Sequence, residues 1–277
     1  MRKILDYHAP AAPIDALRIS QSSTKARFLA GGSYLSREKT LECTLIDLKN
    51  CGLAHISEAN GNLRIGAMST ITDLLLHPAS SGPGKAFLQA LSSTGHAIVR
   101  NQITIGGSIA GMLPWFNLAA PLMVLDASLL VLESSGETTI SFRSFVANKP
   151  REYLKNRLIL ALNIPLVSDR ELCFSRLSLT EVDFAPMFAA ASISREGETV
   201  KAAYVAVSGC LPGPVMISGA SELIGKKLSR SEAETVGQAA LHELQGKIIS
   251  ANPNFPPAYL EEVLPVVVAD CLYGGAN

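Results

Sequence analysis

Apolar residues in the first 165 positions fall in short runs broken by Gly, Pro, Asn and Asp, the pattern of short strands and helices joined by tight turns. The first 55 residues predict a small α/β unit: a helix beginning near Pro13, a strand ARFLA, a turn at GGS and a second strand TLIDL. Residues 54–68 read as a hairpin, AHISEA and LRIGAM, around Asn60-Gly61, a pair that tolerates positive φ. Thr70 followed by Asp73 predicts a capping box, with a carboxylate in the glutamate place, opening the short helix TDLLLHP. A helix is expected over 84–95, leading into HAIVRNQITIGG, where QITI reads as a β-run ending in two glycines. A helical stretch near PLMVLDA, a second hairpin from ASLLVLES and ETTISFRSF, and a strand LILALNIP complete this part.

Pro165 marks a domain boundary, dividing the chain into residues 1–166, with subdomains of about 1–55 and 56–166, and residues 167–277. Beyond it, strand-like ELCFSRLSL, FAAASIS and AAYVAVSGC precede three helical segments, including Arg230 to Lys247 and Pro257 to Leu272. In the last, Leu260, Val263, Leu264, Val267, Val268, Cys271 and Leu272 recur at helical spacing and predict a core-facing stripe, with Pro265 expected to bend or interrupt it.

Composition adds limits rather than elements. A chain of 277 residues, 48% hydrophobic and 17% charged, can build a sizeable core as two domains or one large one. Its formal charge of +0 supplies no whole-molecule field for nucleic acid or an anionic membrane, so a charged ligand has to be bound locally. MRKILDYHAP reaches Asp6 and His8 before any apolar run, and no stretch approaches the roughly 18 apolar residues of a membrane span; a cytoplasmic protein is expected. Cys43, Cys51, Cys173, Cys210 and Cys271 form no C-x-x-C pair, which argues against a disulfide framework, an iron-sulfur cluster and a zinc site, and predicts reduced, mostly buried thiols.

Several catalytic signatures fail on inspection. ASSGPGKA, at 79–86, resembles a phosphate loop, but Ala79 replaces its first glycine and Ala86 the hydroxyl residue that would hold magnesium. No G-x-G-x-x-G follows a strand, and His8, His55, His77, His96 and His242 make no H-x-x-x-H pair. Serine chemistry is the stronger competitor, because Gly106-Gly107-Ser108-Ile109-Ala110 misses a nucleophile elbow by its last residue. His242 lies downstream, with Asp126, Asp169, Asp183 and Asp270 as possible partners.

Two glycine pairs, in FLAGGSYL at 28–35 and QITIGGSIAG at 102–111, suggest a different chemistry. Successive backbone N–H groups in a turn form an anion-binding nest without a basic side chain. Each charge-assisted hydrogen bond contributes about 1.5–3 kcal/mol, so a few can hold a pyrophosphate on a protein of zero net charge. Ser33, Thr104 and Ser108 are expected to add hydroxyl donors.

These segments carry a resemblance. FLAGGSYL, LRIGAMSTITDL, VRNQITIGGSIA, PLMVLDASLLV and LILALNIP, in that order, resemble the flavin-binding subunits of the molybdenum hydroxylases, the xanthine dehydrogenase and carbon monoxide dehydrogenase group, and most of all the small stand-alone flavin subunits of bacterial xanthine-dehydrogenase-like enzymes. AYVAVSGCLPGPVMISGASELIGKKL and PPAYLEEVLPVVVADCL are similar to that family's C-terminal domain.

The resemblance implies an α+β chain: a two-subdomain FAD-binding fold of the vanillyl-alcohol-oxidase type, followed by an α+β C-terminal domain of the carbon monoxide dehydrogenase flavoprotein type. It implies FAD contacts from Phe28, Leu29, Ala30, Gly31, Gly32, Ser33, Tyr34 and Leu35, and from Thr104, Ile105, Gly106, Gly107 and Ser108, around the pyrophosphate. Ile159 matches an apolar position near the isoalloxazine, Arg176 stands in the place of a family lysine, and Asp183-Phe184-Ala185 matches a structural D-x-A segment. After GGSIA, Pro114 is in place, but Asn117 stands where relatives carry an acid contacting FAD. Trp115 and Phe116 could cover the cofactor, contact a partner or fill a core gap.

The implied function is electron transfer. An iron-sulfur subunit, fed by a molybdopterin-binding subunit that hydroxylates the substrate, passes electrons to FAD and onward to NAD+ or another acceptor, and no catalytic acid or base is expected on this chain. A scaffold that keeps the fold with weakened flavin binding, and a serine hydrolase using Ser108, are the alternatives.

Overall fold

The computed structural model describes residues 2–77, 83–112, 117–166, 169–180, 183–250 and 252–274. The sequence features at Ala79, Pro114, Trp115 and Phe116 lie outside the described residues. In chain order the elements are β1 (Arg2–His8), α1 (Pro13–Ser22), β2 (Ala26–Leu29), β3 (Leu41–Asp47), β4 (Ile56–Ala59), β5 (Asn62–Gly66), α2 (Ile71–Leu75), α3 (Pro83–Ser92), α4 (Ala97–Arg100), α5 (Ile105–Gly111) and α6 (Ala119–Val124). They continue with β6 (Ser128–Glu133), β7 (Gly136–Ser141), α7 (Phe142–Ala147), α8 (Pro150–Tyr153), β8 (Leu158–Pro165), β9 (Arg170–Leu177), β10 (Met187–Glu196), β11 (Thr199–Ser208), β12 (Val215–Ile217), α9 (Arg230–Leu244) and α10 (Pro257–Gly274).

By packing, the chain divides into two units, one of residues 1–79, 96–112 and 127–165, the other of residues 80–95, 113–126 and 166–277. Residues 80–95 and 113–126 therefore group with the C-terminal part although they lie within the first 166.

The first unit holds a parallel three-stranded sheet, order β1-β3-β2, and an antiparallel five-stranded sheet, order β4-β5-β8-β6-β7. One core joins them: Ala16 and Leu17 of α1 pack with Ile46 and Leu48 and with Leu132, Leu158 and Leu160 of the larger sheet. The first hairpin turns through Asn60 at φ 52° and Gly61 at φ 70°, the positive-φ pair its sequence requires. The capping box is present: Thr70 N–H donates to Asp73 Oδ2 at 2.8 Å, and Asp73 N–H to Thr70 Oγ1 at 3.1 Å.

β1 is an addition to the elements read from sequence. Its residues 3–7 are all exposed, so it lacks the one-sided alternation that marks a half-buried strand. It is held by pairing to β3 and by Tyr7, whose hydroxyl donates to Asp47 Oδ2 at 2.6 Å. Burial raises the Asp47 pKa, but hydrogen bonds from Tyr7 and Lys49 outweigh it and hold the carboxyl below its usual range.

The second unit is a four-stranded antiparallel sheet, order β12-β11-β10-β9, covered on both faces. Met187, Ala189, Ala191 and Ile193 point to one face and pack with α9 and α10. α3 and α6 pack on the sheet as well, and every residue of α6 is buried. Burial on both sides explains why β10 reads as a continuous run, MFAAASIS, rather than an alternating one.

Of the two effects expected of Pro265, a bend or an interruption, the interruption does not occur: α10 runs from Pro257 through Gly274. The two terminal helices meet backbone to backbone at this point, since a Cβ on Gly237 of α9 would lie 2.3 Å from the Pro265 carbonyl oxygen. Leu260, Leu264, Val267, Val268, Cys271 and Leu272 are buried as the stripe predicted, while Val263 is partly buried. That burial offsets the hydrogen bond lost at the proline. No helix among the described residues is long and apolar enough to cross a membrane.

Two outcomes follow from this packing. Gly237→Ala should destabilise the protein by about 1–3 kcal/mol in a denaturant titration, the usual scale of overpacking, and Gly237→Val by more. All five cysteines are free and buried, and burial pushes Cys173 and Cys210 up to about 12. Ellman's reagent at neutral pH should find no reactive thiol in the native chain and all five after denaturation.

Candidate functional site

The two glycine-pair loops of the first unit come together, but each is built differently. From β2 the chain passes through Ala30, Gly31, Gly32, Ser33 and Tyr34 into a single 3-10 turn at Leu35–Arg37. Gly32 sits at φ +73°, which a side chain disfavours. Gly31 has an ordinary φ and is glycine for want of space: a Cβ there would lie 1.5 Å from the carbonyl oxygen of Gln102. The first loop therefore rests on the backbone of the second.

The second loop is not a strand followed by a turn. Thr104 makes one isolated bridge to Thr70, and the glycine pair then opens the short helix α5 with Thr104 as its N-cap. The segment is laid along residues 67–71: Ile105 N–H donates to Ser69 O at 2.9 Å, Gly106 N–H to Ala67 O at 2.8 Å, and Ile71 N–H to Ile103 O at 3.0 Å. Gly106 is required by this approach, since its Cβ would lie 2.6 Å from that of Ala67. Gly107 N–H donates to Thr104 Oγ1 at 3.2 Å.

This changes the donor count expected from sequence. The amides of residues 105–107 are all engaged, so the second loop contributes no nest. Thr104 is only 4% exposed, and its Oγ1 accepts from Gly107 N–H as the cap of α5. In the first loop, by contrast, the N–H groups of Gly31, Gly32, Ser33 and Tyr34 meet no acceptor among the described residues.

Gly107 adjoins this loop at Ala30. It is exposed, and apart from the Thr104 hydroxyl a Cβ there would approach only Ala30, at 3.9 Å. Four amides without acceptors in the first loop, next to a bare glycine and the part-exposed Ser108 of the second, make a candidate cradle for an oxyanion group, which a side chain at 107 would crowd. The donor set suits a diphosphate without any metal.

The remaining expected residues take varied places. Phe28 packs against the core of the first unit, and Ile105 is fully buried. Ile159 is 5% exposed within β8. Asn117 and Arg176 belong to the second unit. Asn117 is buried, donates to Ser93 Oγ at 3.4 Å, and leaves its Oδ1 without a partner among the described residues. Arg176 donates to the Asp183 carbonyl. Gln102, Ala67 and Ser69 act through backbone carbonyls, a contribution that no side-chain pattern announces.

The hydrolase constellation finds no support in these contacts. Ser108 N–H is bonded to Thr104 O within α5, and His242 is exposed on α9. Asp126 pairs with Arg170 at 2.9 Å and Asp270 with Arg230 at 2.7 Å.

Comparison with known proteins places the chain among relatives. Over 245 residues the chain is 25% identical to the carbon monoxide dehydrogenase medium chain of Hydrogenophaga pseudoflava, covering 85% of each. It is 26% identical over 166 residues to the xanthine dehydrogenase FAD-binding subunit of Escherichia coli O157:H7, covering 57% of each. Its fold matches a chain of quinoline 2-oxidoreductase from Pseudomonas putida 86 with a TM-score of 0.88 at 21% identity, covering 100% of this chain and 98% of that one. Residues 3–167 match the family described as the FAD binding domain in molybdopterin dehydrogenase, and the chain belongs to that family.

Proposed function

We propose that this chain is the FAD-carrying, electron-transferring subunit of a multi-subunit molybdenum hydroxylase, working in the cytoplasm with separate iron-sulfur and molybdopterin-binding subunits and with NAD+ or another acceptor. The observation that carries the reading is the run of four unengaged amides in the loop that Gly107 adjoins, within the stretch that matches an FAD-binding family. Bound FAD would supply the redox chemistry, accepting electrons from one centre and releasing them to another.

The chain's residues bind and orient. In this proposal residues 1–166 form the cofactor domain, Gly31 to Tyr34 donate to the diphosphate, and Gly107 leaves room for it, with Ser33 and Ser108 adding hydroxyls. Ala30, Leu29 and Leu35 shape the wall, and Phe28, Thr104, Ile105 and Gly106 hold it in place through packing and capping. Ile159 is proposed to pack near the isoalloxazine. For Asn117 and Arg176 the proposal rests on the family resemblance, to which the partnerless Asn117 Oδ1 adds a free acceptor.

The purified chain should be yellow with stoichiometric FAD. Gly107→Val should lose the flavin while keeping its far-UV spectrum, because the side chain displaces either the Thr104 cap, worth about 1 kcal/mol, or the ligand. Gly31→Ala should lose both flavin and stability, since its Cβ meets backbone. Ser108→Ala should retain FAD. Full retention of FAD by Gly107→Val would overturn the assignment of the cradle.

The isolated chain should be bleached by a chemical reductant, yet fail to oxidise any heterocycle with a dye acceptor until iron-sulfur and molybdopterin subunits are co-expressed. Turnover by the chain alone would show that the chemistry has been misplaced.

A further inference from the structure

We propose that Arg151 is a cofactor-positioning residue, a side-chain cation placed at the rim of the amide cradle to engage the same diphosphate. The inference rests on the loop-pair reading above and adds to it a charge that the sequence reading of the glycine loops did without.

The geometry comes from both sides of the cradle. Arg151 Nη2 donates to the hydroxyl of Tyr34, 3.4 Å away, and Tyr34 closes the run of free amides in the first loop. Arg151 lies on α8, which packs against α5, the helix that carries Gly107 and Ser108. One guanidinium is thus tied to the first loop while its helix lies on the second.

The local chain holds this position. Lys149 at φ 52° turns the backbone sharply, and Pro150 opens α8 at its first position. The Tyr153 ring lies edge-on to Phe145 at 5.8 Å and beneath the Arg157 guanidinium at 4.5 Å. Arg157 is itself fixed by Glu133 Oε2 and by the Tyr153 carbonyl, both at 2.8 Å. Arg157 is therefore consumed internally. Arg151 is exposed and has no carboxylate within ion-pair distance among the described residues, whereas its neighbours Lys149 and Glu152 pair with each other. A guanidinium with its donors in a planar fork, on an anchored helix beside unengaged amides, matches a phosphate oxygen pair.

The test is calorimetric titration of flavin-free full-length chain with FAD and with ADP, at low and high salt. Arg151→Gln should weaken both ligands by roughly tenfold at low salt, the low end for one charge-assisted hydrogen bond, with the gap narrowing as salt screens it. Arg151→Lys should recover part of the loss, and Lys155→Gln, an exposed cation on the same segment, should bind as the wild type does. An Arg151→Gln chain that binds ADP with unchanged affinity overturns the inference, as does equal weakening by Lys155→Gln. A wild-type chain that binds neither ligand overturns the loop-pair reading beneath it.

Discussion

The carbonyl oxygen of Gln102 occupies the space where a side chain on residue 31 would begin, and the candidate site depends on that one contact. Because residue 31 is glycine, the first loop settles directly on the backbone of the second, and the two walls of the cradle are fixed by the fold rather than by long side chains. Preorganised amides need little reordering when an anion arrives, which is how a chain of zero net charge can hold a doubly charged group.

The rest of the first unit supports that contact. The second loop is held in place by the carbonyls of Ala67 and Ser69 at the end of β5, and Ala67 N–H is in turn bonded to Leu160 O of β8. β2, which delivers the first loop, is paired to β3 and backed by α1 in a core shared with β6 and β8. The amides used to build the second loop are unavailable to a ligand, so in the proposed site the backbone donors come from the first loop, and the second supplies scaffold and the Ser108 hydroxyl.

Much of this was legible in the sequence wherever the cause is local. Asn60-Gly61 announces its hairpin, Thr70 and Asp73 their capping box, and the stripe from Leu260 to Leu272 its buried face. Where the cause is distant, the pattern misleads. QITI has strand-like residues, yet only Thr104 makes a bridge, because the carbonyls of Ala67 and Ser69 draw Gly106 and Ile105 into a helix start. The glycines of this loop are small to fit neighbours, not to reach positive φ, and sequence cannot tell those reasons apart. Pro265 is accommodated by Gly237 on another helix, and Arg151 meets Tyr34 across 117 positions; neither pairing leaves a periodic trace. β1 escapes detection because both its faces are exposed.

The central claim, that the ligand is held by the free amides of one loop and not by the engaged amides of the other, is tested most directly by backbone amide resonances followed during titration with ADP. The account predicts the largest downfield shifts, with slowed hydrogen exchange, at Gly31, Gly32, Ser33 and Tyr34, and small changes at Ile105, Gly106 and Gly107. Shifts centred on residues 105–107 with the 31–34 amides unmoved would contradict it.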